Sequence, residues 1–390
     1  MNTDYFVKCE KIHRRSTNMI ILNVELDNFY AFRNFKMNLT YPKKIVGSYI
    51  ENEHLDNHPN FRYKKVNIIM GANATGKTTF GHMIKRIFNF IDKKNYTQIT
   101  EVIANRKDNA KFLLDMVDGD SDTLYRISCT IKPNAEEDYS SEDINLYIKK
   151  VTINAKDSYE SCIERLEKSE QIKNPNYIEE LEKMDKLYWF FEHPHDDGRR
   201  ILRLPKNDKK FGKILENILK ALDPYIKKVE RLRGVENAYI IRVGDNSVII
   251  QDGEPLTSEL LSSGTKTGVE IARVVSSLMQ GLNSFYYCDE KFSYIHSDIE
   301  KAILSLMIDS IQPNEQLFFT THNTDILDMQ LPKHAYTFLK KDITDEEHPI
   351  VCLNAGDFLK RNTDSLRRAV ENDLFSMAPA TDLIFDIANL

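Results

Sequence analysis

The sequence has few cysteines, a single tryptophan and no long apolar run. The five cysteines are Cys9, Cys129, Cys162, Cys288 and Cys352, and no two of them form a C-x-x-C pair. This odd, scattered set argues against a disulfide framework or a cysteine-based zinc site and predicts reduced thiols in the cytoplasm. No apolar run approaches the roughly 20 residues that cross a bilayer, and the polar N-terminus lacks the core of a signal peptide. We therefore expect a soluble cytoplasmic chain with no membrane partner.

An excess of positive charge is also missing. The chain has 53 lysines and arginines against 59 acidic residues, which gives a net charge of −6. Overall charge therefore does not drive this protein onto nucleic acid or a membrane surface. Hydrophobic residues make up 41% and charged residues 29% of the chain, a profile typical of globular proteins. A length of 390 residues suits one large α/β domain with an insertion, or two domains.

The strongest motif is the stretch from Gly71 to Thr78, which fits G-x-x-x-x-G-K-[ST] without departure. It lies between an apolar strand at 66–70 and a predicted helix at 78–90. Such a loop curls so that backbone N–H groups and the helix N-terminus face phosphates. Lys77 would neutralise the β and γ phosphates, and the Thr78 hydroxyl would complete a Mg²⁺ shell. We expect nucleotide contacts from Gly71, Asn73, Ala74, Thr75, Gly76, Lys77, Thr78 and Thr79.

A second apolar strand, at 284–288, ends in the acidic pair Asp289 and Glu290. A strand placed next to a P-loop can use its first carboxylate to hold Mg²⁺ and its second to orient or deprotonate the attacking water. The alternative is a buried strand with a solvated acidic end. The upstream P-loop favours the first interpretation, with Asp289 as a metal ligand and Glu290 as a catalytic residue.

Two further segments carry residues suited to phosphate chemistry. Ser262, Ser263 and Gly264 stand at the start of a predicted helix, where small residues make a second anion-binding site. His322 ends the strand that follows the acidic pair, within Phe318-Phe319-Thr320-Thr321-His322-Asn323. A single histidine is usually unremarkable, but its place after this strand favours a role in the site.

These four motifs, in this order, resemble the ABC/SMC-type ATPases of the AAA family, including the overcoming-lysogenization-defect group and related phage-defence ATPases. The resemblance covers about 19–130 and 236–330. The stretch 28–32 is similar to the family's opening strand, and His296 lies in a turn similar to the one after the family's acidic pair. The resemblance implies ATP and Mg²⁺ as cofactors and a head-to-tail homodimer or higher homo-oligomer. Ser262 and Gly264 of one copy would then contact the γ-phosphate that Lys77 of the other copy holds, and His322 would be the switch histidine.

The fold class that follows is α/β. We expect an ABC-type P-loop ATPase head with a mainly parallel sheet, an antiparallel β subdomain and a helical insertion. The predicted divisions are an N-terminal lobe with the P-loop (1–132), a helical insertion (133–235) and a C-terminal lobe (236–390). The C-terminal lobe would carry the signature, the acidic pair and the switch histidine.

The predicted insertion contains weaker signals, each with an ordinary alternative. Helices are expected at 158–169, 177–192 and 209–232. The histidines and aspartates of 193–197 suggest either a metal cluster or an exposed loop, and the basic run 199–210 either a phosphate or acidic-partner contact or a solvated helix lead-in. The aromatic run 188–191 is either a protein-interaction hot spot or packing of the insertion onto the head. Outside the insertion, Gln98 is the nearest candidate for a Q-loop glutamine, and Arg33 a candidate nucleotide contact.

The predicted function is an ATP-driven switch that controls a separate effector, a nuclease or toxin, in bacterial or phage-borne defence. Only 69 residues follow Thr321, and they lack the spaced carboxylates of a Toprim nuclease. The first alternative is a RecF- or SMC-like DNA-repair or chromosome-maintenance ATPase, for which nucleic acid is a partner. A non-hydrolysing nucleotide-dependent scaffold and an ABC transporter subunit are further alternatives, which Glu290 and the Asn28-Phe29 opening respectively disfavour.

Overall fold

The computed structural model describes most of the chain. The described residues are 19–45, 47–118, 121–169, 176–182, 184, 186–192, 210–251, 254–255, 263–292, 295–342, 344–361, 363–377 and 387. Among them, no helix combines the length and the apolar character needed to cross a membrane.

The strands, in chain order, form four sheets. They are β1 (Met19–Asp27), β2 (Phe35–Asn38), β3 (His54–Leu55), β4 (His58–Arg62), β5 (Val66–Met70), β6 (Ala110–Asp118), β7 (Thr123–Ile131), β8 (Ile144–Thr152), β9 (Trp189–Glu192), β10 (Ile226–Arg231), β11 (Ala238–Val243), β12 (Asn246–Gln251), β13 (Glu254–Pro255), β14 (Phe285–Asp289), β15 (Gln316–Thr320), β16 (Tyr336–Lys341) and β17 (Ile350–Asn354).

The described helices pack on the main sheet, on the antiparallel sheet or on one another. They are α1 (Lys77–Lys93), α2 (Thr97–Thr100), α3 (Tyr159–Lys168), α4 (Tyr177–Leu181), α5 (Phe211–Leu222), α6 (Ser263–Gln280), α7 (Ser297–Ser310), α8 (Ala355–Phe358) and α9 (Leu366–Glu371). A 3₁₀ turn, Thr324–Asp328, follows β15.

The main sheet has six strands in the order β17-β16-β5-β15-β14-β9. All neighbouring pairs are parallel except β16 and β17, which are antiparallel. The carboxyl ends of β5, β15 and β14 therefore meet at one edge, where Met70, Thr320 and Asp289 end their strands. This edge collects the residues that the sequence motifs single out, as is usual for open α/β sheets.

Each face of the main sheet is buried against a different layer. In β14, Tyr286 and Cys288 belong to a core that includes apolar residues of α5, α6 and α7. Phe285 and Tyr287 belong to a second core, which includes residues of α1 and of the antiparallel sheet. This alternation is the two-residue period of a strand covered on both faces, and it explains why the strand reads as a continuous apolar run.

The antiparallel β subdomain is a five-stranded sheet in the order β2-β1-β6-β7-β8. Within it, β6 and β7 are antiparallel neighbours, which pair from Ala110↔Ile131 to Asp118↔Thr123. Just after β1, Asn28 adopts a φ of 63° and its side-chain amide donates to the carbonyls of Asn105 and Asn109. Asn28 therefore connects the turn after β1 to the loop before β6.

A small antiparallel sheet, β10-β11-β12-β13, lies beside the helices of the C-terminal half. α5 packs closely on α6, since a Cβ placed on Gly268 would lie 2.6 Å from Leu222 Cδ1 and 2.9 Å from Leu219 Cδ2. A side chain at position 268 would therefore displace the ends of these two leucines.

The predicted helices of the insertion are confirmed only in part. α3, α4 and α5 lie within the expected helical stretches, but residues 189–192 and 226–231 are strands β9 and β10, and β8 was not predicted. β9 pairs in parallel with β14, and β8 pairs with β7. The segment 133–235 therefore contributes strands to three sheets, and its division from the head as a separate domain stays a proposal.

The aromatic run in this segment packs inside the head. Phe190 and Phe191 are buried, and the Phe191 ring stacks on that of Tyr287, with ring centroids 5.5 Å apart. Trp189 is half-buried, and its indole Nε1 donates to Asp92 of α1 at 3.3 Å. For Phe190 and Phe191 the structure favours packing onto the head, because both side chains are buried, whereas Tyr188 and Trp189 stay half-buried.

Candidate functional site

The P-loop connects β5 to α1 through three backbone positions with positive φ. These are Gly71 at 157°, Ala74 at 62° and Gly76 at 98°. A Cβ placed on Gly71 would lie 2.5 Å from the Leu339 carbonyl oxygen, so only glycine fits there. Turns of this kind form concavities lined by backbone N–H groups, which bind anions.

Helix α1 begins at Lys77 without a capping side chain, because its N-cap is Gly76, and its first turn holds no acidic residue. The N–H groups of a first helical turn have no partner within the helix. Together with the helix dipole they give this end of α1 a positive potential suited to phosphate.

The Lys77 ammonium group lies inside the loop. Its Nζ donates to the carbonyl oxygens of Gly71 at 2.9 Å and Ala72 at 3.1 Å, and it lies 3.6 Å from Glu290 Oε1. Burial lowers the pKa of Lys77, and the nearby Glu290 carboxylate opposes that shift. The ammonium group is thus held by exchangeable carbonyl contacts at the position where phosphate oxygens would replace them.

The acidic pair ends β14 at the same sheet edge. Asp289 is fully buried, and its Oδ1 accepts a hydrogen bond of 2.6 Å from the Thr320 hydroxyl. That hydroxyl in turn accepts the Glu290 backbone N–H at 2.9 Å. Glu290 has a φ of 44°, a strained conformation for a residue with a side chain. The turn that begins at Glu290 is thus fixed by Thr320, which sequence analysis did not single out.

Glu290 is the centre of the site. His322 Nε2 lies 2.7 Å from Glu290 Oε1, and Lys77 Nζ lies 3.6 Å from the same oxygen. The hydrogen bond from His322 lowers the pKa of Glu290, and the Lys77 charge adds to the effect. The carboxyl group is therefore ionised, as an acceptor that orients a water molecule must be.

A buried carboxylate fixes the loop that carries His322. Glu300 of α7 accepts the Thr321 hydroxyl at 2.8 Å and the Asn323 side-chain amide at 2.6 Å. The same amide donates to Ser297 Oγ at 3.0 Å, at the start of α7. Burial raises the pKa of Glu300. The residues on both sides of His322 are thus anchored to α7, the helix that follows the acidic pair.

β14 is not the immediate neighbour of β5, because β15 lies between them. The acidic strand nevertheless reaches the P-loop helix directly, since the Tyr287 hydroxyl donates to the Lys77 carbonyl at 2.7 Å. A Cβ on Gly81 would clash with the Tyr287 ring, which shows how closely α1 approaches β14. β14 therefore reaches the P-loop region through α1, which packs on the face of the sheet, and not by pairing with β5 as the sequence suggested.

Residues 66–328 match the model of a protein family described as "AAA domain, putative AbiEii toxin, Type IV TA system". The chain belongs to this family. The family match and the geometry above agree on an AAA domain with a P-loop. No curated protein sequence matches the chain.

Solved structures similar to the chain include several SMC heads. The "SmcHead bound to the C-winged helix domain of ScpA" is 14% identical, with 87% of this chain and 99% of that chain covered and a TM-score of 0.50. The Smc head of Pyrococcus furiosus bound to the C-terminal domain of ScpA is 11% identical, with 88% and 98% covered and a TM-score of 0.50. The recombination mediator RecF is 11% identical, with 86% and 98% covered and a TM-score of 0.40. The similarity to the two Smc heads confirms the predicted α/β head fold.

The structure brings Lys77, Glu290 and His322 together, as the motif order predicts. Among the other nucleotide-binding candidates, Thr75 is buried and its hydroxyl donates to the Ala72 carbonyl at 2.9 Å. The remaining candidates of this group lie in the loop or the first turn of α1: Asn73 and Ala74 are exposed, and Thr78 and Thr79 are half-buried.

The signature candidates lie partly outside the described residues. Ser262 is not described, Ser263 begins α6, and Gly264 lies in the first turn of that helix. The hydrogen bonds and ion pairs of the described residues do not join Gly264 to the Lys77–Glu290–His322 cluster of the same chain. Their role across a dimer stays a prediction.

Lys291, the residue after the acidic pair, has a structural role in this chain. Its Nζ lies 2.6 Å from Glu270 Oε2 of α6 and 3.3 Å from Glu192 Oε1 at the end of β9, and it is buried. A buried lysine with two carboxylate partners satisfies its charge locally. Lys291 therefore connects the turn after β14 to α6 and to β9. The next residue, Phe292, packs on Phe319 with ring centroids 4.9 Å apart.

Among the described residues, no hydrogen bond or ion pair joins a weaker candidate to the site. The 193–197 cluster and residues 199–209 of the basic run lie outside the described residues. Gln98 lies on the short helix α2 and is exposed, and Arg33 is exposed. His296 caps α7, where its Nδ1 accepts the Asp298 N–H at 3.2 Å.

Proposed function

We propose that the chain binds ATP with Mg²⁺ and hydrolyses it, and that this cycle controls a separate effector protein. The observation that carries the proposal is the position of Glu290, held 2.7 Å from His322 and 3.6 Å from Lys77 at the mouth of the P-loop. A structural ion pair would not need a P-loop lysine, a strained turn and a histidine directed at one carboxylate oxygen.

The residues present fit a magnesium ion bound with the nucleotide. The carboxylate of Asp289 and the hydroxyl of Thr78 are oxygen donors, which Mg²⁺ prefers, and Asp289 is at the end of the strand that reaches α1. Thr320 holds Asp289 through Oδ1. When bound, the metal would supply neutralisation of phosphate charge.

Different groups of the chain would bind the phosphates, activate the attacking water and position the catalytic carboxylate. The P-loop N–H groups and Lys77 bind the β and γ phosphates and hold the γ-phosphorus in place. Glu290 accepts a hydrogen bond from the attacking water, whose oxygen forms a bond to the γ-phosphorus. The bond from that phosphorus to the β–γ bridging oxygen breaks, and ADP leaves with the electron pair. The proton of the water is accepted at Glu290, and His322 Nε2 holds that carboxylate in position.

The test of hydrolysis is phosphate release from ATP by the purified chain, measured over a range of protein concentrations. Release that saturates with ATP and requires Mg²⁺ supports the proposal. No release at any protein concentration, with ATP bound, would favour the non-hydrolysing scaffold instead.

The proposed setting is a toxin or nuclease controlled by the ATP cycle in anti-phage defence. The family description, with its AbiEii toxin and type IV toxin–antitoxin system, supports this choice. The similarity to SMC heads supports the alternative of DNA repair or chromosome maintenance, and one such head was solved with a winged-helix domain of ScpA bound. ATP-stimulated binding of duplex DNA by the chain alone would favour that alternative.

The paired sites lead to a mixing prediction. If Gly264 completes the site of a second copy, a Lys77→Ala chain and a Gly264→Asp chain each lack any intact site. A mixed dimer has one site with both defects and one with neither. An equal mixture should therefore recover up to about a quarter of wild-type ATP turnover, since about half of the dimers are mixed.

The measurement is phosphate release by each variant alone and by the equal mixture at the same total concentration. A Lys77→Ala chain mixed with a Glu290→Gln chain is the control, because Lys77 and Glu290 lie in the same half of a site, so the two defects fall in different sites of a mixed dimer and damage both. That control mixture should recover nothing, since each chain still carries one damaged P-loop site. If neither mixture recovers ATP turnover, either Gly264 does not act across the dimer or both sites must be intact for hydrolysis.

Glu300 gives a prediction about the positioning of His322. In Glu300→Ala the Thr321 hydroxyl and the Asn323 amide lose their acceptor, so the His322 loop shifts while the P-loop keeps its contacts. A displacement of about 1 Å can cost a hundredfold in rate, so we expect kcat to fall by up to about that factor with little change in KM. Glu300→Gln keeps one acceptor and should lose less.

The control for this prediction is Glu315→Gln. Glu315 is also buried, it accepts the Gln312 N–H at 2.9 Å away from the site, and burial raises its pKa to about 8. Because a carboxyl with that pKa is mostly protonated at neutral pH, the amide is a close substitute. An equal loss of kcat in both variants would assign Glu300 to general stability alone.

A further inference from the structure

A second concave site lies away from the P-loop and is strongly basic. It is a cleft of about 700 Å³ between the loop after β2 and the segments that flank β16 and follow α8. None of the sixteen described residues that line it is acidic, and five are cations. We call it the basic cleft, and its cations are Lys43, Lys44, Lys333, Lys360 and Arg361.

The basic cleft is at the opposite end of the main sheet from the nucleotide site. His334, just before β16, lines the cleft, whereas the carbonyl of Leu339, further along β16, faces Gly71 of the P-loop. The three steps of extended strand from Tyr336 to Leu339 alone span about 10 Å. β16 also runs parallel to β5, so the cleft is at the amino ends of these strands. The two sites are therefore separate.

The positive charge of the cleft is largely unneutralised. Within the described part of the chain, Lys43, Lys44, Lys360 and Arg361 form no ion pair, and Lys333 has only a distant one, 3.9 Å from Asp364. Of the nearby acids, Glu53 is held by His334 at 2.6 Å, and Asp364 is the distant partner of Lys333. Burial raises the pKa of Tyr41, and the charges of Glu53 and Asp357 nearby add to that shift. The chain as a whole has a net charge of −6, so this concentration of positive charge differs from the average charge of the protein.

The walls of the cleft are organised by contacts of the lysines and by aromatic rings. Lys360 Nζ donates to the Gly356 carbonyl at 3.1 Å, and Lys333 Nζ donates to the Arg361 carbonyl. Tyr41 packs on the His334 ring with centroids 4.4 Å apart. Tyr49 is 69% exposed, so its ring is available to a ligand at the cleft.

The size of the cleft decides between two kinds of polyanion. A volume of 700 Å³ corresponds to a cube with an edge of about 9 Å, within the usual range for small-molecule sites of about 300–1,000 Å³. A site for single-stranded nucleic acid covers about 4–16 nucleotides and needs a much longer groove. The five cations around this cleft thus suit a compact ligand with several phosphates, and the exposed Tyr49 ring suits a planar base beside them.

We propose that the basic cleft binds a small polyphosphorylated molecule of the nucleoside polyphosphate class, at a site distinct from the P-loop. Multiple phosphate groups match the lysines and the arginine on both walls, since charge-assisted hydrogen bonds to phosphate are among the strongest in proteins. This site is independent of whether the P-loop hydrolyses ATP.

The experiment uses the full-length chain with Lys77→Ala, which weakens anion binding at the P-loop. Inorganic tripolyphosphate and adenosine tetraphosphate are titrated calorimetrically into this protein and into the same protein with Lys43→Glu, Lys44→Glu and Lys360→Glu. We expect binding of one equivalent of each probe, and at least a hundredfold weaker binding after charge reversal. Tyr49→Ala should weaken adenosine tetraphosphate by about tenfold and leave tripolyphosphate unchanged.

The matched control reverses two exposed lysines of the antiparallel β subdomain and its helix α3, Lys150→Glu and Lys168→Glu. These should leave probe binding unchanged, and all variants should keep the melting temperature of the parent. Absence of tripolyphosphate binding to the parent at millimolar concentration overturns the proposal. So does equal binding by the charge-reversed protein, or tight charge-dependent binding of an eight-nucleotide single strand with no binding of either small probe. None of these outcomes depends on ATP turnover.

Discussion

Replacing Glu290 by Gln is expected to lower ATP turnover by about 10²–10⁴-fold while the chain still binds ATP. The amide keeps the shape of the side chain, and Lys77 and the P-loop keep their contacts with the phosphates. What is lost is the ionised oxygen that orients the attacking water and accepts its proton, a contribution of about that size when a positioned base is removed. Because the hydrogen bond from His322 lowers the pKa of Glu290, wild-type protein has this carboxylate ionised well below neutral pH.

The measurement is single-turnover phosphate release together with ATP affinity for wild type and Glu290→Gln. If the copies pair around ATP, the variant should also elute as a stable dimer in the presence of ATP, because hydrolysis no longer opens it. Glu101→Gln is the matched control, since Glu101 is also ion-paired, 3.3 Å from Arg86 of α1, but outside the site. Wild-type turnover in Glu290→Gln would reject the role assigned to this carboxylate.

The site could be predicted from the sequence because its main residues lie in short contiguous motifs. The P-loop is a contiguous stretch between a strand and a helix, so Gly71, Gly76 and Lys77 could be assigned from spacing alone. Glu290 and His322 could be assigned because each ends an apolar strand, and parallel strands bring their carboxyl ends to one edge. These residues converge in the structure as that argument requires.

Thr320 and Glu300 carry no comparable signal. Thr320 is one of two adjacent threonines in a strand, and only the register of β14 against β15 places its hydroxyl between Asp289 and the Glu290 N–H. Glu300 stands in the first turn of α7, where an acidic residue usually faces solvent and favours the helix dipole. Its burial follows from the position of the loop after β15, which pattern analysis of α7 alone cannot supply.

The errors in the fold have a related cause. Residues 189–192 and 226–231 lie within stretches for which the sequence predicts helices, yet both form strands. β9 exists because its four residues extend the edge of the main sheet beside β14, about 95 residues further along the chain (Phe285↔Trp189). β10 exists because β11 provides an antiparallel partner, from Ile226↔Val243 to Arg231↔Tyr239. In both cases, pairing with a partner strand overrides the local propensity for helix.

Lys77→Ala is expected to weaken ATP binding itself, which distinguishes it from Glu290→Gln. The Lys77 ammonium group is the buried cation of the loop, with Gly71 and Ala72 carbonyls as its present partners. Each charged hydrogen bond to phosphate contributes about 1.5–3 kcal/mol, so loss of one alone raises the Kd for ATP by about 10- to 150-fold. Turnover then falls because the site is empty at ordinary ATP concentrations.

The folded chain without nucleotide should tolerate Lys77→Ala, because removing a lysine whose pKa is lowered by burial also removes its desolvation cost. The informative measurement is the rise in melting temperature that ATP and Mg²⁺ produce, since a ligand stabilises the folded state by RT ln(1 + [L]/Kd). Wild type and Lys85→Ala, a change of another α1 lysine, should show that rise, and Lys77→Ala should lose it at the same ATP concentration. A full ATP-dependent rise in Lys77→Ala would place the nucleotide outside the P-loop and would remove the basis for the proposed hydrolysis.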